Sequence, residues 1–132
     1  LSDADRAACE RHYATIEAFP SPEHPVLTHG DFAWWHILLN EAKGCLSGII
    51  DFGDRSIGDP ASDFGALYVY GRDFVESVYE RYSGPKDDGF LRRARQGFTH
   101  VAISELIHGE RRTFGTREAA LPVFRKALDM PV

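Results

Sequence analysis

Two short apolar runs, HILLN at 36–40 and CLSGIID at 45–51, are separated only by EAKG. Runs of this length, joined by a four-residue connection ending in glycine, read as an antiparallel β-hairpin. The hairpin constrains its surroundings because its two open ends must meet. His36 enters the first strand and Asp51 leaves the second, so an imidazole and a carboxylate are expected side by side. That pair is a start for a divalent-metal site. Asp31 stands five residues before His36, close enough to face the same space from a loop. A carboxylate so placed can accept a proton from a hydroxyl group.

Most of the remaining chain reads as helix. Ser2 can cap a helix over residues 2–18, with acidic residues in its first turn. FPSPEHPV at 19–26 has three prolines in eight residues and is expected to be extended. VLTH then reads as a short strand. DFGDRSIGDP is rich in aspartate and glycine, shows no apolar periodicity and reads as a loop. Asp59 before Pro60 marks a helix start. Val75, Val78, Tyr79 and Tyr82 recur at helical spacing until Gly84 and Pro85. Leu91, Ala94, Phe98, Val101, Ala102 and Leu106 form a longer stripe. A last helix reaches about Met130, with Pro122 near its start or kinking it. The expectation is one α+β domain over residues 1–132, predominantly helical, with a hairpin carrying polar loops against four or five helices.

Composition narrows the function classes. With 132 residues, 43% hydrophobic and 27% charged, the chain suits one soluble globular domain. It contains no apolar stretch of membrane-spanning length and no secretory signal pattern, so a cytoplasmic location with no membrane partner is expected. Cys9 and Cys45 read as free thiols. A net charge of −5 argues against a nucleic-acid partner. The arginine groups Arg92, Arg93, Arg95 and Arg111, Arg112 read as solvated helix surface.

The order of the polar residues matches a kinase pattern. His29, Asp31 and His36 occupy the histidine, aspartate and asparagine positions of a kinase catalytic loop, and Asp51, Phe52 and Gly53 spell DFG. Gly30 in place of the kinase arginine points away from protein kinases. HGDFAWWHILL, followed by SGIIDFGDRSIGDPASDF, closely resembles the aminoglycoside and macrolide phosphotransferase family of kinase-like small-molecule kinases. The likeness covers about residues 26–70 and rests on HGD, His36, IDFGD, GDP and Asp63 in order.

The resemblance implies a protein-kinase-like C-terminal lobe whose hairpin carries the catalytic and metal loops. It implies transfer of the γ-phosphoryl group of ATP or GTP to a small-molecule hydroxyl, with antibiotic acceptors foremost. Asp31 would be the base, His36 and Asp51 the Mg2+ ligands, and Leu38 and Ile50 the floor of the nucleotide base site. His29 and Asp63 would brace the catalytic loop. Leu38 and Ile50 read equally well as hairpin core. Trp34 and Trp35 depart from the small or polar residues common in that family; a cleft wall and burial against the helices are both open. Glu105 and Glu110 read as solvated surface before substrate contacts. Asp54 reads as a loop residue.

No lysine precedes residue 29, and no glycine-rich phosphate loop is present. The expectation is therefore that the N-terminal nucleotide lobe is missing, that this piece alone is inactive, and that apolar surface left uncovered favours self-association. Two competing readings are a metal-dependent phosphoester hydrolase built on His29, Asp31, His36 and Asp51, and a non-catalytic kinase-like binding domain.

Overall fold

A computed structural model describes residues 2–16, 22–108 and 117–129. Helix α1 (Asp3–Ile16) opens on a reciprocal cap. The Ser2 hydroxyl accepts from the Asp5 N–H at 3.1 Å, and the Asp5 carboxylate accepts from the Ser2 N–H at 2.9 Å. The Arg125 guanidinium, far along the chain, donates to the same carboxylate at 2.9 and 3.1 Å, tying the first helix to the last.

The expected hairpin is present as β2 (Ile37–Asn40) and β3 (Cys45–Ile49). Ile37 stands opposite Ile49 and Asn40 opposite Cys45, with a register shift between Leu38 and Leu39. Gly44 takes a φ of 59° in the connecting turn, a conformation in which a side chain is disfavoured. A second antiparallel pair joins β1 (Val26–Thr28) to β4 (Ser56–Gly58), Thr28 facing Ser56. This corrects the reading of 51–60 as a loop throughout. Three residues with Ile57 facing solvent leave no periodic signal, and their partner strand lies about thirty residues away.

Helices α2 (Ala61–Gly65), α3 (Arg72–Arg81), α4 (Phe90–His108) and α5 (Arg117–Asp129) follow, with a 3-10 turn at Ala66–Tyr70. Asp59 serves as the expected cap, its carboxylate accepting from the Ala61 N–H at 3.0 Å. Pro122 lies inside α5. The core is helical: Val75, Phe90, Ala94, Phe98, Ala102 and Phe124 are buried among these elements. Phe90 meets Phe64 edge-on at 4.9 Å. Burial of each such ring contributes up to about 3 kcal/mol. Helices α2 and α4 cross so closely that a Cβ on Gly65 would lie 3.1 Å from the Ala94 carbonyl oxygen.

Three expectations fail in α4, one of them at Arg95, which is only partly exposed and whose Nε is buried without a hydrogen-bond partner instead of being solvated. Val101 is 47% exposed, because the buried ladder runs through every fourth residue and leaves it to one side. Arg93 is not solvated surface: its side chain is 9% exposed and lies between Asp59 and Asp87. Arg111, Arg112, Glu110, Met130 and residues 17–18 lie outside the described residues, as does the side chain of Glu105. Among the described residues no helix is long and apolar enough to cross a membrane. Cys9 is half-buried and Cys45 exposed, both as free thiols.

Candidate functional site

The loop between β1 and β2 is fixed from two directions. From α2, the Asp63 carboxylate accepts the backbone N–H groups of His29 at 2.7 Å and Gly30 at 3.2 Å. From the end of the hairpin, the Ile50 carbonyl accepts from His29 Nε2 at 2.9 Å. A carbonyl oxygen only accepts, so that nitrogen carries the proton. The other ring nitrogen is buried without a hydrogen-bond partner, and the ring stacks on His36 at 5.4 Å and against Phe52 at 4.6 Å. Gly30 has a φ of 84°, and a Cβ there would collide with the Asp54 carbonyl oxygen. The arginine of protein kinases has no room in this loop.

The chain then makes a 3-10 turn at Trp34–His36, closed by His36 N–H to the Ala33 carbonyl at 3.0 Å. The Ile50 N–H donates to the His36 carbonyl at 3.0 Å, one further bond beyond the Ile37–Ile49 pair. Asp51 follows in a left-handed conformation, φ 67°, unusual for a non-glycine residue. The consequence is that His36 Nε2 and Asp51 Oδ2 lie 3.5 Å apart. His36 Nδ1 donates to the Asp31 backbone carbonyl at 2.9 Å, which fixes the ring and joins it to the residue of greatest chemical interest in the loop.

Asp31 itself is exposed and lines a cavity of about 820 Å³ between the loop and the helices, within the range of small-molecule sites. Trp34 and Trp35 also line it, resolving their alternatives in favour of a cleft wall; their rings meet edge-on at 5.6 Å. Leu38 and Ile50 are 43% and 45% exposed, so neither is hairpin core. Among the described residues no three histidine, cysteine, aspartate or glutamate side chains gather into a metal cage. The donor pair His36 and Asp51 nevertheless suits a cation. Nδ1 donates to the Asp31 carbonyl, so Nε2 is the nitrogen that faces the Asp51 carboxylate, and a positive charge between the two satisfies both.

Two contributions escape a reading by motif. Arg93 donates to Asp59 at 2.6 Å and to Asp87 at 2.8 Å, pinning the segment that leads from β4 into α2, and hence Asp63. The Arg93 guanidinium holds the Asp87 carboxyl below the usual carboxylate range, and the two acids hold Arg93 firmly charged. The other contribution is from Val69, in the 3-10 turn, and Val101, on α4, which also line the cavity; the sequence signal at Val101 is its place in an apolar stripe, which reads as core.

The chain can be compared with known proteins. Residues 1–98 match the model of the phosphotransferase enzyme family, and the chain belongs to that family. A viomycin phosphotransferase from Streptomyces vinaceus is 29% identical over 114 residues, 84% of this chain and 39% of that protein. The solved structure of an aminoglycoside 2'-phosphotransferase-IIIa with GDP is 27% identical, with a TM-score of 0.73 over 97% of this chain and 45% of that one. A GDP and kanamycin complex of an aminoglycoside phosphotransferase is 26% identical, with a TM-score of 0.75 over 96% and 45%. The chain thus spans less than half the length of each of these relatives.

Proposed function

We propose that the protein transfers the γ-phosphoryl group of ATP or GTP to a hydroxyl of a small molecule of the aminoglycoside or macrolide type. In this reading the chain is the large lobe of a longer enzyme, and an N-terminal lobe closes over the nucleotide. The observation that carries it is the convergence of His36 and Asp51, 3.5 Å apart, beside a cavity lined by Asp31. The GDP and kanamycin bound to a relative support the two ligand classes.

Each residue has a distinct part. Asp31 takes the proton of the acceptor hydroxyl as that oxygen bonds to phosphorus, while the bond from phosphorus to the β-phosphate oxygen breaks and the nucleoside diphosphate leaves. His36 and Asp51 would hold Mg2+, which when bound offsets the charge of the phosphates. Leu38 and Ile50, exposed on the hairpin, offer an apolar floor to the nucleotide base. Asp63 and His29 hold the loop so that Asp31 keeps its place relative to His36. The phosphoester hydrolase reading has less support, because His29 is engaged by the Ile50 carbonyl instead of facing a metal.

The test is Mg2+-dependent phosphate transfer by the complete protein, from ATP and from GTP, across aminoglycosides, macrolides and metabolite alcohols. Asp31→Ala is expected to lose about 10²–10⁴-fold in turnover. Wild-type turnover in that variant overturns the assignment of the base. The 132-residue chain alone is expected to be inactive, since phosphates held from one side lack positioning and electrostatic stabilisation.

A further inference from the structure

Resting on the phosphotransfer reading, we propose that Arg55 is a further catalytic residue, donating to the oxygens of the γ-phosphoryl group as it moves from nucleotide to acceptor. Two contacts place it. Its guanidinium Nη1 donates to the Phe52 carbonyl at 3.0 Å, so the side chain folds back over the turn that carries Asp51. Covalent reach then keeps Nη1 within about 9 Å of the Asp51 Cα. The residue before it, Asp54, has its carbonyl oxygen where a Cβ on Gly30 would stand. The chain at 54–55 is therefore packed against the residue that precedes Asp31. Arg55 thus lies near the base's loop on one side and near Asp51 on the other, the interval in which a transferring phosphoryl group sits.

Charge gives this position its use. A nucleoside triphosphate is anionic, and Asp31, Asp51 and Asp54 already bring three exposed carboxylates to this end of the hairpin. Between residues 22 and 71 the lysines and arginines are Lys43 and Arg55, and Lys43 stands in the turn at the opposite end of β2 and β3. Arg55 is exposed, and the acceptor it takes in its own loop is a neutral carbonyl. A full positive charge and further N–H donors therefore stand open to a ligand. A planar guanidinium fits the equatorial oxygens of a phosphoryl group, over which the charge is spread at the transition state. The proton of the acceptor hydroxyl still passes to Asp31, since a guanidinium neither accepts nor releases one here.

The test compares steady-state transfer by the complete protein, from ATP and from GTP, with that of variants at Arg55. Arg55→Ala is expected to lower kcat by about 10²-fold and leave the acceptor KM within about twofold, because a donor aimed at the transition state contributes little to acceptor binding. Arg55→Gln, which keeps the side-chain stem without the charge, is expected to match it. Millimolar guanidinium ion is expected to recover about tenfold of the loss in Arg55→Ala, and Arg55→Lys, a point charge without the planar fork, to fall between the two extremes. Melting temperatures of the variants should equal that of the wild type. Wild-type kcat in Arg55→Ala or Arg55→Gln overturns the assignment and keeps the phosphotransferase. A loss that Arg55→Lys shares in full, that guanidinium does not relieve and that raises the acceptor KM in step marks a displaced loop and also overturns it. Failure of the wild-type protein to transfer phosphate from either nucleotide to any acceptor overturns the phosphotransfer reading, and the role of Arg55 with it.

Discussion

His36 Nε2 and Asp51 Oδ2 face each other at 3.5 Å, while the opposite nitrogen of the same ring donates to the Asp31 carbonyl. The second contact determines what the first can be. Because Nδ1 carries a proton, Nε2 either carries another or meets the carboxylate as a second acceptor, and a divalent ion removes that conflict. Adding Mn2+ is therefore expected to stabilise the fold. At ten times the dissociation constant the gain is about 1.4 kcal/mol, or roughly 3–5 °C in Tm for a domain of this size. Calorimetry checks this, and Asp51→Asn or His36→Ala should each remove most of the shift. A shift that survives both substitutions together places the ion elsewhere.

If His36 ligates the metal as proposed, it also bears on which metal is preferred. Imidazole favours softer ions than Mg2+ does, whereas an amide oxygen suits Mg2+ well. His36→Asn is expected to lower the ratio of Mn2+-supported to Mg2+-supported transfer in the complete protein by several-fold. Steady-state rates with each ion give the ratio directly. An unchanged ratio means that the imidazole does not ligate the metal.

Gly30 is required by two independent circumstances, its φ of 84° and the Asp54 carbonyl standing where a Cβ would be. Gly30→Ala is expected to cost at least about 2 kcal/mol and to displace the loop carrying Asp31. Denaturant unfolding measures the first effect. Turnover of the complete protein should fall more steeply than stability, because the displaced loop also breaks the Asp63 contacts.

Arg93 holds Asp59 and Asp87 with a side chain that is nearly buried. Arg93→Met is expected to destabilise the fold by about 2–3 kcal/mol at pH 7, since it leaves two partly buried carboxylates without their partner. The pH dependence follows from Asp87, whose carboxyl is held below its ordinary value chiefly by hydrogen bonds from Arg93. The unfolded chain then binds the proton more readily than the folded one. The stabilisation is fully present above the ordinary carboxylate value of about 4 and is lost as pH falls below it. The difference between wild type and Arg93→Met should therefore narrow between about pH 5 and pH 3. A constant difference over that interval rules out the ion pair as its source.

The parts of this protein that the sequence made legible are those governed by near neighbours. The hairpin follows from two apolar runs and a glycine turn, and the Ser2 and Asp59 caps from residues three or fewer positions away. The meeting of His36 with Asp51 follows because a four-residue turn fixes which residues face each other. What stayed hidden depends on distant partners. Ser56–Gly58 becomes a strand only because Val26–Thr28 lies beside it, and Arg93 is indistinguishable from its solvated neighbour Arg92 until Asp59 and Asp87 are brought to it. Trp34 and Trp35 had no decidable orientation until α4 supplied the opposite wall.

The hairpin leaves one further consequence. Leu39 and Leu46 are cross-strand partners in β2 and β3, yet they are 68% and 58% exposed. A paired leucine rung facing water, with Leu38 and Ile49 also exposed nearby, is a template for association. The chain is expected to self-associate with rising concentration, which sedimentation velocity detects. Replacing the rung by an opposite-charge pair, Leu39→Glu with Leu46→Lys, should restore the monomer. It should do so at little cost, within about 0.5 kcal/mol, because neither leucine packs in the core and charges facing across strands attract. A wild-type chain that stays monomeric at high concentration shows that this face is not adhesive. Association that persists in the double variant locates the contact on another surface.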